Sequence, residues 1–253
     1  MSRCESLEDL DKAKSVWRNG NSDDARVVRD FLASGNKYHL EEAIDGELLS
    51  VEGVSWNGEF KILGLLSRIL FSENPIVEMG SCFPYPHPLT DKIIEHVRKS
   101  HLALGYTDGF SHVEVIVTPR GEVEIIDFNA RFVGADVLQS INHAYGIRIE
   151  ETLLDWTLGR KPGFMPKKSD FSCLQYVLPP RSVVVNEITL PKAPDVVFST
   201  ALVPPGTEVQ STDQQLDYLG CYLTTGPSFQ RAIERSKQLR DAVRINDTLQ
   251  GAY

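Results

Sequence analysis

The chain has 253 residues, 42% of them hydrophobic and 24% charged, and carries a formal net charge of −9. That is apolar mass enough for one large domain or two small ones. The acidic balance, without any Lys/Arg run, argues against nucleic acid as the main partner, and no apolar run has the length of a membrane span.

In chain order, SLEDLDKAKSVW predicts a first helix, with Ser6 as N-cap and Asp9 completing a loose capping box. DDARVVRDFLASG predicts a second, stopping at Gly35. The period then changes to two. YHLEEAI, LLSVEGVSW and EFKILGLLSRIL predict three strands, the last two joined by an Asn57-Gly58 hairpin turn. Residues 73–88 are proline-rich and aperiodic and predict a long loop. PLTDKIIEHVRKSHLALG predicts a helix with Ile93, Ile94, Val97 and Leu102 on one side and Gly105 near its end. HVEVIVTPRGEVEIIDFN predicts a second hairpin turning at Pro119-Arg120-Gly121, and helices follow at about 134–145 and 148–158. The polar, breaker-rich stretch from Gly159 to Asp170 sets the expected boundary between a domain of residues 1–160 and one of 161–253. Beyond it lie strands near 172–178, 183–189, 196–203 and 218–224 and a helix from about Ser228 to Val243. The expected class is α+β. Cys4, Cys82, Cys173 and Cys221 form no CxxC pair and no apolar leader precedes them, so they are expected as free thiols of a cytoplasmic protein.

Chemistry concentrates in the second hairpin. Residues two apart on a strand share a face, so Asp127 goes with Asn129 and His112 with Glu114. The short turn can bring Glu114 opposite Asp127. Two carboxylates that close repel by roughly 4 kcal/mol at an effective dielectric near 20. A divalent cation removes that cost, and two carboxylates with one amide oxygen suit Mg²⁺. The flanking Val113, Val115, Val117, Ile125, Ile126 and Phe128 would make the site a polar island in an apolar sheet. The same spacing also fits three solvent-facing residues of a half-exposed hairpin.

The run GFSHVEVIVTPRGEVEIIDFNARFVGAD resembles the metal-binding segment of ATP-grasp enzymes, in the L-amino-acid ligase branch of carboxylate–amine ligases. The order of Gly-x-x-His-x-Glu, a Thr-Pro-x-Gly turn and acid-x-Asn-x-Arg carries the resemblance. It implies that Glu114, Asp127 and Asn129 hold Mg²⁺ (or Mn²⁺) against the phosphates of ATP, and that Arg131 faces the substrate carboxyl or acyl phosphate. The family usually has Glu where this chain has Asp127. LEEAIDGELLSVEG resembles the hinge strand that holds adenine, which implies contacts from the main chain around Glu42 and Ile44 and from Glu41. The ribose-binding Glu of the family falls on Leu48, so either Glu47 substitutes or that contact is missing. Arg68 matches a basic position near the phosphates, and a solvated strand end fits it equally. PIVEMGSCFPYP, with Glu78 and Pro84, resembles the loop lining the amine pocket; His87 and His143 are taken as structural. GTEVQ…DYLGCYLTTGPSFQRAIERS resembles the small C-terminal domain of amino-acid ligases.

The resemblance implies a partial ATP-grasp fold, an antiparallel sheet with helices, followed by a small C-terminal α+β domain. Its activity would be ATP-dependent joining of an amino-acid-like carboxylate to an amine through an acyl phosphate. The N-terminal α/β domain, the Gly-rich loop and the phosphate-binding lysine contexts are not found; Lys12, Lys14 and Lys37 stand elsewhere. A truncated ligase is the favoured expectation, beside a chain needing a separate front half and a degenerate relative. The implied partners are ATP, small carboxylate and amine substrates, and a second copy or a separate chain; the competing class is a non-catalytic ATP- and metal-binding module.

Overall fold

The alternation in LLSVEGVSW and EFKILGLLS folds into strands β1 (Glu47–Trp56) and β2 (Glu59–Ser67). Asn57 (φ 50°) and Gly58 (φ 82°) both take positive φ in the two-residue turn between them, as a twisted hairpin requires. The computed structural model describes residues 4–19, 30–34, 40–71, 74–179, 182–209 and 218–249. It divides into two units, Met1–Asp45 and Gly46–Tyr253.

In the first unit, helix α1 (Leu7–Asn19) starts at the expected cap. Ser6 Oγ accepts from the Asp9 amide at 3.1 Å and donates to Asp9 Oδ2 at 2.7 Å. Of the second predicted helix, residues 30–33 are helical, while its first part and Gly35 lie outside the described residues. The strand predicted over YHLEEAI is not formed over residues 40–45. Among the described residues no strand pairs with this segment.

The second unit holds two large antiparallel sheets and two small ones. The first has the order β2-β1-β5-β6, with β5 at Gly109–Val117 and β6 at Val123–Asn129. Leu49, Val51, Leu65, Val113, Val115, Val117 and Val123 line one face and bury Ile93 and Val97 of helix α2 (Thr90–Leu104). The buried stripe of α2 is Ile93, Val97 and His101, whereas Leu102, expected inside, is 61% exposed. One helical step of about 100° carries it off the stripe that His101 completes. The His101 ring takes the core place by satisfying both nitrogens, Nδ1 with Val97 O at 2.8 Å and Nε2 with Ser111 Oγ at 2.9 Å.

The second sheet runs β10-β12-β7-β4-β3. Its strands are β3 (Ile69–Phe71), β4 (Asn74–Phe83), β7 (Phe171–Val177), β10 (Val196–Ala201) and β12 (Gly220–Gly226). Most of the predicted loop at 73–88 is therefore strand β4. Its prolines stand outside the ladder with β7, which runs from Gly80 to Phe83. Cys82 and Cys173 are cross-strand partners 4.1 Å apart at Cα and are joined as a disulfide, in place of the expected free thiols; Cys221 remains a buried thiol. This sheet crosses the boundary expected at 160/161, since β3 and β4 precede it and β7, β10 and β12 follow it. Helices α3 (Ala135–Tyr145) and α4 (Ile149–Thr157) lie between. Short strands β8 (Val183–Val185) and β11 (Thr207–Val209) form one small sheet. β9 (Ile188–Thr189), β13 (Arg244–Ile245) and β14 (Thr248–Leu249) form another. Helix α5 (Phe229–Arg240) starts at the Ser228 cap.

Candidate functional site

Alternation sorts the first sheet into two faces. Leu49 and Val51 of β1 and Val113, Val115 and Val117 of β5 point into the core beneath α2. Ser50 and Glu52, and His112 and Glu114, therefore point to the opposite face. The register pairs Ser50 with Glu114 and Glu52 with His112 across β1 and β5. Across β5 and β6 it pairs Glu114 with Asp127 and His112 with Asn129.

Asp127 and Asn129 reach that face through a bulge. Strict alternation from the core-facing Val123 and Ile125 would turn Asp127 inward. The register slips between Glu114 and Val115, which leaves Ile126 as the extra residue, 39% exposed. After the slip Phe128 packs on the core, and Asp127 and Asn129 share the face of Glu114. Directly opposed residues have Cβ atoms about 5 Å apart. Asn129 Nδ2 donates to Asp127 Oδ2 at 2.7 Å, so the amide oxygen of Asn129 points elsewhere.

Arg68, between β2 and β3, closes a chain of buried charges. Its Nη2 donates to Glu114 Oε1 at 2.6 Å, and its Nη1 pairs with Glu78 Oε2 of β4. His112 Nε2 lies 3.3 Å from the same Glu114 oxygen, and His112 Nδ1 lies 2.6 Å from Glu52 Oε1, which also accepts from Ser50 Oγ at 2.9 Å. The side chains of Arg68, His112 and Glu52 are 8%, 4% and 3% exposed, so these are not solvated strand-end charges. Burial works against protonation of His112. Its hydrogen bonds to Glu114 and Glu52, with the charge of Glu52, outweigh that and hold its pKa up at about 9. The hydrogen bond from His112, helped by the charges of Arg68 and Arg131, depresses the Glu114 carboxyl against the opposing effect of burial. Desolvation raises Glu78, and Arg68 only partly offsets it. Glu78 Oε1 and Arg68 Nε are buried without a hydrogen-bond partner.

Of the residues singled out in the sequence, Arg68, Glu114, Asp127 and Asn129 thus come together. Arg131 follows just past β6, donates to Phe132 O at 2.8 Å and lies close enough for its charge to act on Glu114. Glu47 does not join them. It pairs with Val117 and so faces the α2 side, where Tyr85 Oη donates to Glu47 Oε1 and His87 Nε2 lies 3.4 Å from Glu47 Oε2. Leu48 occupies the position on the Glu114 face. Glu41 and Glu42 are exposed and Ile44 half-buried, all three within the first unit. Sequence reasoning missed Glu52 and the use of Glu78; an acid inside the otherwise apolar LLSVEGV was the available signal for the first.

Among the described residues no three His, Cys, Asp or Glu side chains form a ready-made metal cage. The donor set here is two carboxylates and an amide, and it fits a hard cation. Oε1 of Glu114 is taken by Arg68 and His112, while Oε2 has no hydrogen-bond partner among the described residues. Asp127 and Asn129 each retain an oxygen in the same condition.

Comparison with known proteins bears on the fold. A family model described as an ATP-grasp domain matches residues 16–135, and one described as L-amino acid ligase C-terminal domain 2 matches residues 175–247. Alanine–anticapsin ligase of Bacillus subtilis is 24% identical over 148 residues, 56% of this chain and 30% of that protein. The fold is shared with phosphoribosylglycinamide synthetase from Anaerococcus prevotii at TM-score 0.71 and 16% identity, over 90% of this chain and 61% of that one. It is shared with L-amino acid ligase from Bacillus licheniformis at TM-score 0.70 and 19% identity, over 83% and 55%. The biotin carboxylase domain of Hydrogenobacter thermophilus 2-oxoglutarate carboxylase, solved with MgADP and bicarbonate, matches at TM-score 0.66 and 14% identity, over 96% and 54%. The sheets thus have the ATP-grasp fold, of α+β class. Residues 16–135 carry an ATP-grasp domain, and residues 175–247 a C-terminal domain of the L-amino acid ligase type. The match spans under a third of the curated relatives' length, 30% of the first.

Proposed function

We infer that this chain supplies the metal and phosphate side of an ATP-dependent carboxylate–amine ligase that works through an acyl phosphate. The observation that carries this reading is the convergence of Glu114, Asp127 and Asn129 on one sheet face, with Arg68 bound to the first of them. These three would hold Mg²⁺ or Mn²⁺, which when bound neutralises phosphate charge. Arg131 is exposed beside them and can take a carboxylate or acyl-phosphate oxyanion in its fork. Arg68, held by carboxylates on two strands, keeps positive charge fixed at the same face. The main chain around Glu42 and Ile44, with Glu41, is the proposed adenine contact. The substrates would be an amino-acid-like carboxylate and an amine, in the cytoplasm, with a second copy or a separate chain supplying further parts of the site.

One observation favours a second reading, a non-catalytic ATP- and metal-binding module: Leu48, not an acid, stands at the ribose position on the Glu114 face. Calorimetric titration with ATP and Mg²⁺ tests both. Binding by the wild type that is lost in Asp127→Asn supports the site, and absence of binding in the wild type overturns both readings. Phosphate release with amino-acid mixtures then separates ligase from binding module.

A further inference from the structure

We propose that Glu52 and His112 form the positioning device for the Glu114 carboxylate, resting on the reading of Glu114 as a metal ligand. Both ring nitrogens of His112 face carboxylate oxygens, Nδ1 toward Glu52 at 2.6 Å and Nε2 toward Glu114 at 3.3 Å. Carboxylate oxygens without a proton only accept, so Nδ1 donates to Glu52 and that bond sets the plane of the ring, with Nε2 placed 3.3 Å from both Glu114 Oε1 and Arg68 Nη2. Glu52 is itself fixed by Ser50 Oγ at 2.9 Å and by burial, its side chain being 3% exposed. The backbone adds to this constraint: opposite Glu52 and Gly53 the β1–β2 register skips Leu63 of β2, and a Cβ at Gly53 would meet the Phe60 ring at 2.2 Å. Glu52 therefore stands opposite a bulge in β2, while its pairing with β5 runs unbroken.

The consequence is at Glu114. His112 and Arg68 converge on one and the same oxygen, Oε1. Rotation of the carboxylate is thereby blocked, and Oε2 is left as its one oxygen without a protein partner among the described residues. A carboxylate so tethered binds a cation through a single oxygen and pays no ordering entropy when it does so. Glu52 and His112 touch neither metal nor substrate in this arrangement; they act through Glu114.

The test uses Mn²⁺ alone as probe, titrated into the full chain and followed by water-proton relaxation, with a melting curve for each variant. His112→Asn keeps a group near Glu52 but cannot reach Glu114, and is expected to weaken Mn²⁺ binding about tenfold or more. His112→Gln places an amide N–H near the former Nε2 and is expected to stay within about threefold of wild type. Glu52→Gln, which keeps shape and removes the charge that orients the ring, is expected to weaken binding as well, and it decides the matter if His112→Asn does not fold. Unchanged affinity in Glu52→Gln and His112→Asn, while Asp127→Asn loses binding, overturns the proposal and leaves the metal site standing. Equal loss in His112→Gln and His112→Asn marks a packing role and also overturns it. If Asp127→Asn binds Mn²⁺ as the wild type does, the metal-site reading itself has failed.

Discussion

Removing the Arg68 charge tests the electrostatic core of the site directly. Arg68→Met keeps most of the apolar stem but leaves Glu78 without an ion-pair partner among the described residues. Glu114 loses its 2.6 Å contact and keeps only His112. Breaking a buried pair by deleting one partner costs about 3–5 kcal/mol, and for a chain of this size about 2–4 °C is lost per kcal/mol. A fall in Tm of roughly 6–20 °C follows, read by near-ultraviolet circular dichroism at pH 7. The double variant Arg68→Met/Glu78→Gln removes the stranded charge and should recover about 1–3 kcal/mol of the loss. The pH dependence carries its own sign. Glu78 already has a raised pKa from desolvation, and without Arg68 it rises further. The native state of the variant then binds more protons than the unfolded chain, so its deficit grows as pH rises above the ordinary carboxylate range and shrinks toward acid. An Arg68→Met protein within about 0.5 kcal/mol of wild type at pH 7, or a double variant no better than the single, would refute the claim that these charges are buried and mutually dependent.

Three further outcomes are expected. His112 has its pKa raised from 6.5 to about 9, so its contribution is fully present below pH 6.5 and is lost as pH rises through about 9. Urea titrations of the wild type across that window should show a decline on the order of 2–3 kcal/mol, absent in His112→Asn. Gly80→Ala should destabilise by about 1–3 kcal/mol or more in the same assay, because the added Cβ would meet the Leu174 carbonyl oxygen of β7 at 2.2 Å, and backbone cannot step aside cheaply. Leu48→Glu restores an acid on the Glu114 face; if the ribose lies there, calorimetry should show ATP affinity rising about tenfold, the worth of one charge-assisted hydrogen bond, and no gain would count against that orientation.

The parts of this fold that the sequence made legible are those governed by local rules. Asn57-Gly58 fits a turn that needs positive φ twice, and alternation on either side of it does the rest. That the Glu114 and Asp127 strands lie side by side followed from a short turn and period two, although their direct pairing needs the bulge. Strand β4 was hidden because proline density suppresses any strand reading, although the prolines stand outside its ladder with β7. The bulge was hidden more deeply. In EVEIIDFN either isoleucine could be the extra residue, and only pairing with β5 shows that Ile126 is, which is what turns Asp127 and Asn129 outward. The charged chain behind Glu114 lay furthest out of reach. An acid in a strand is assigned to solvent unless a partner is in view, and the partner of Glu52 is 60 residues away on β5, while that of Arg68 on β5 is 46 away. Whether such an acid is a surface residue or a buried tether is decided by register between non-neighbouring strands, a property that no window of sequence contains.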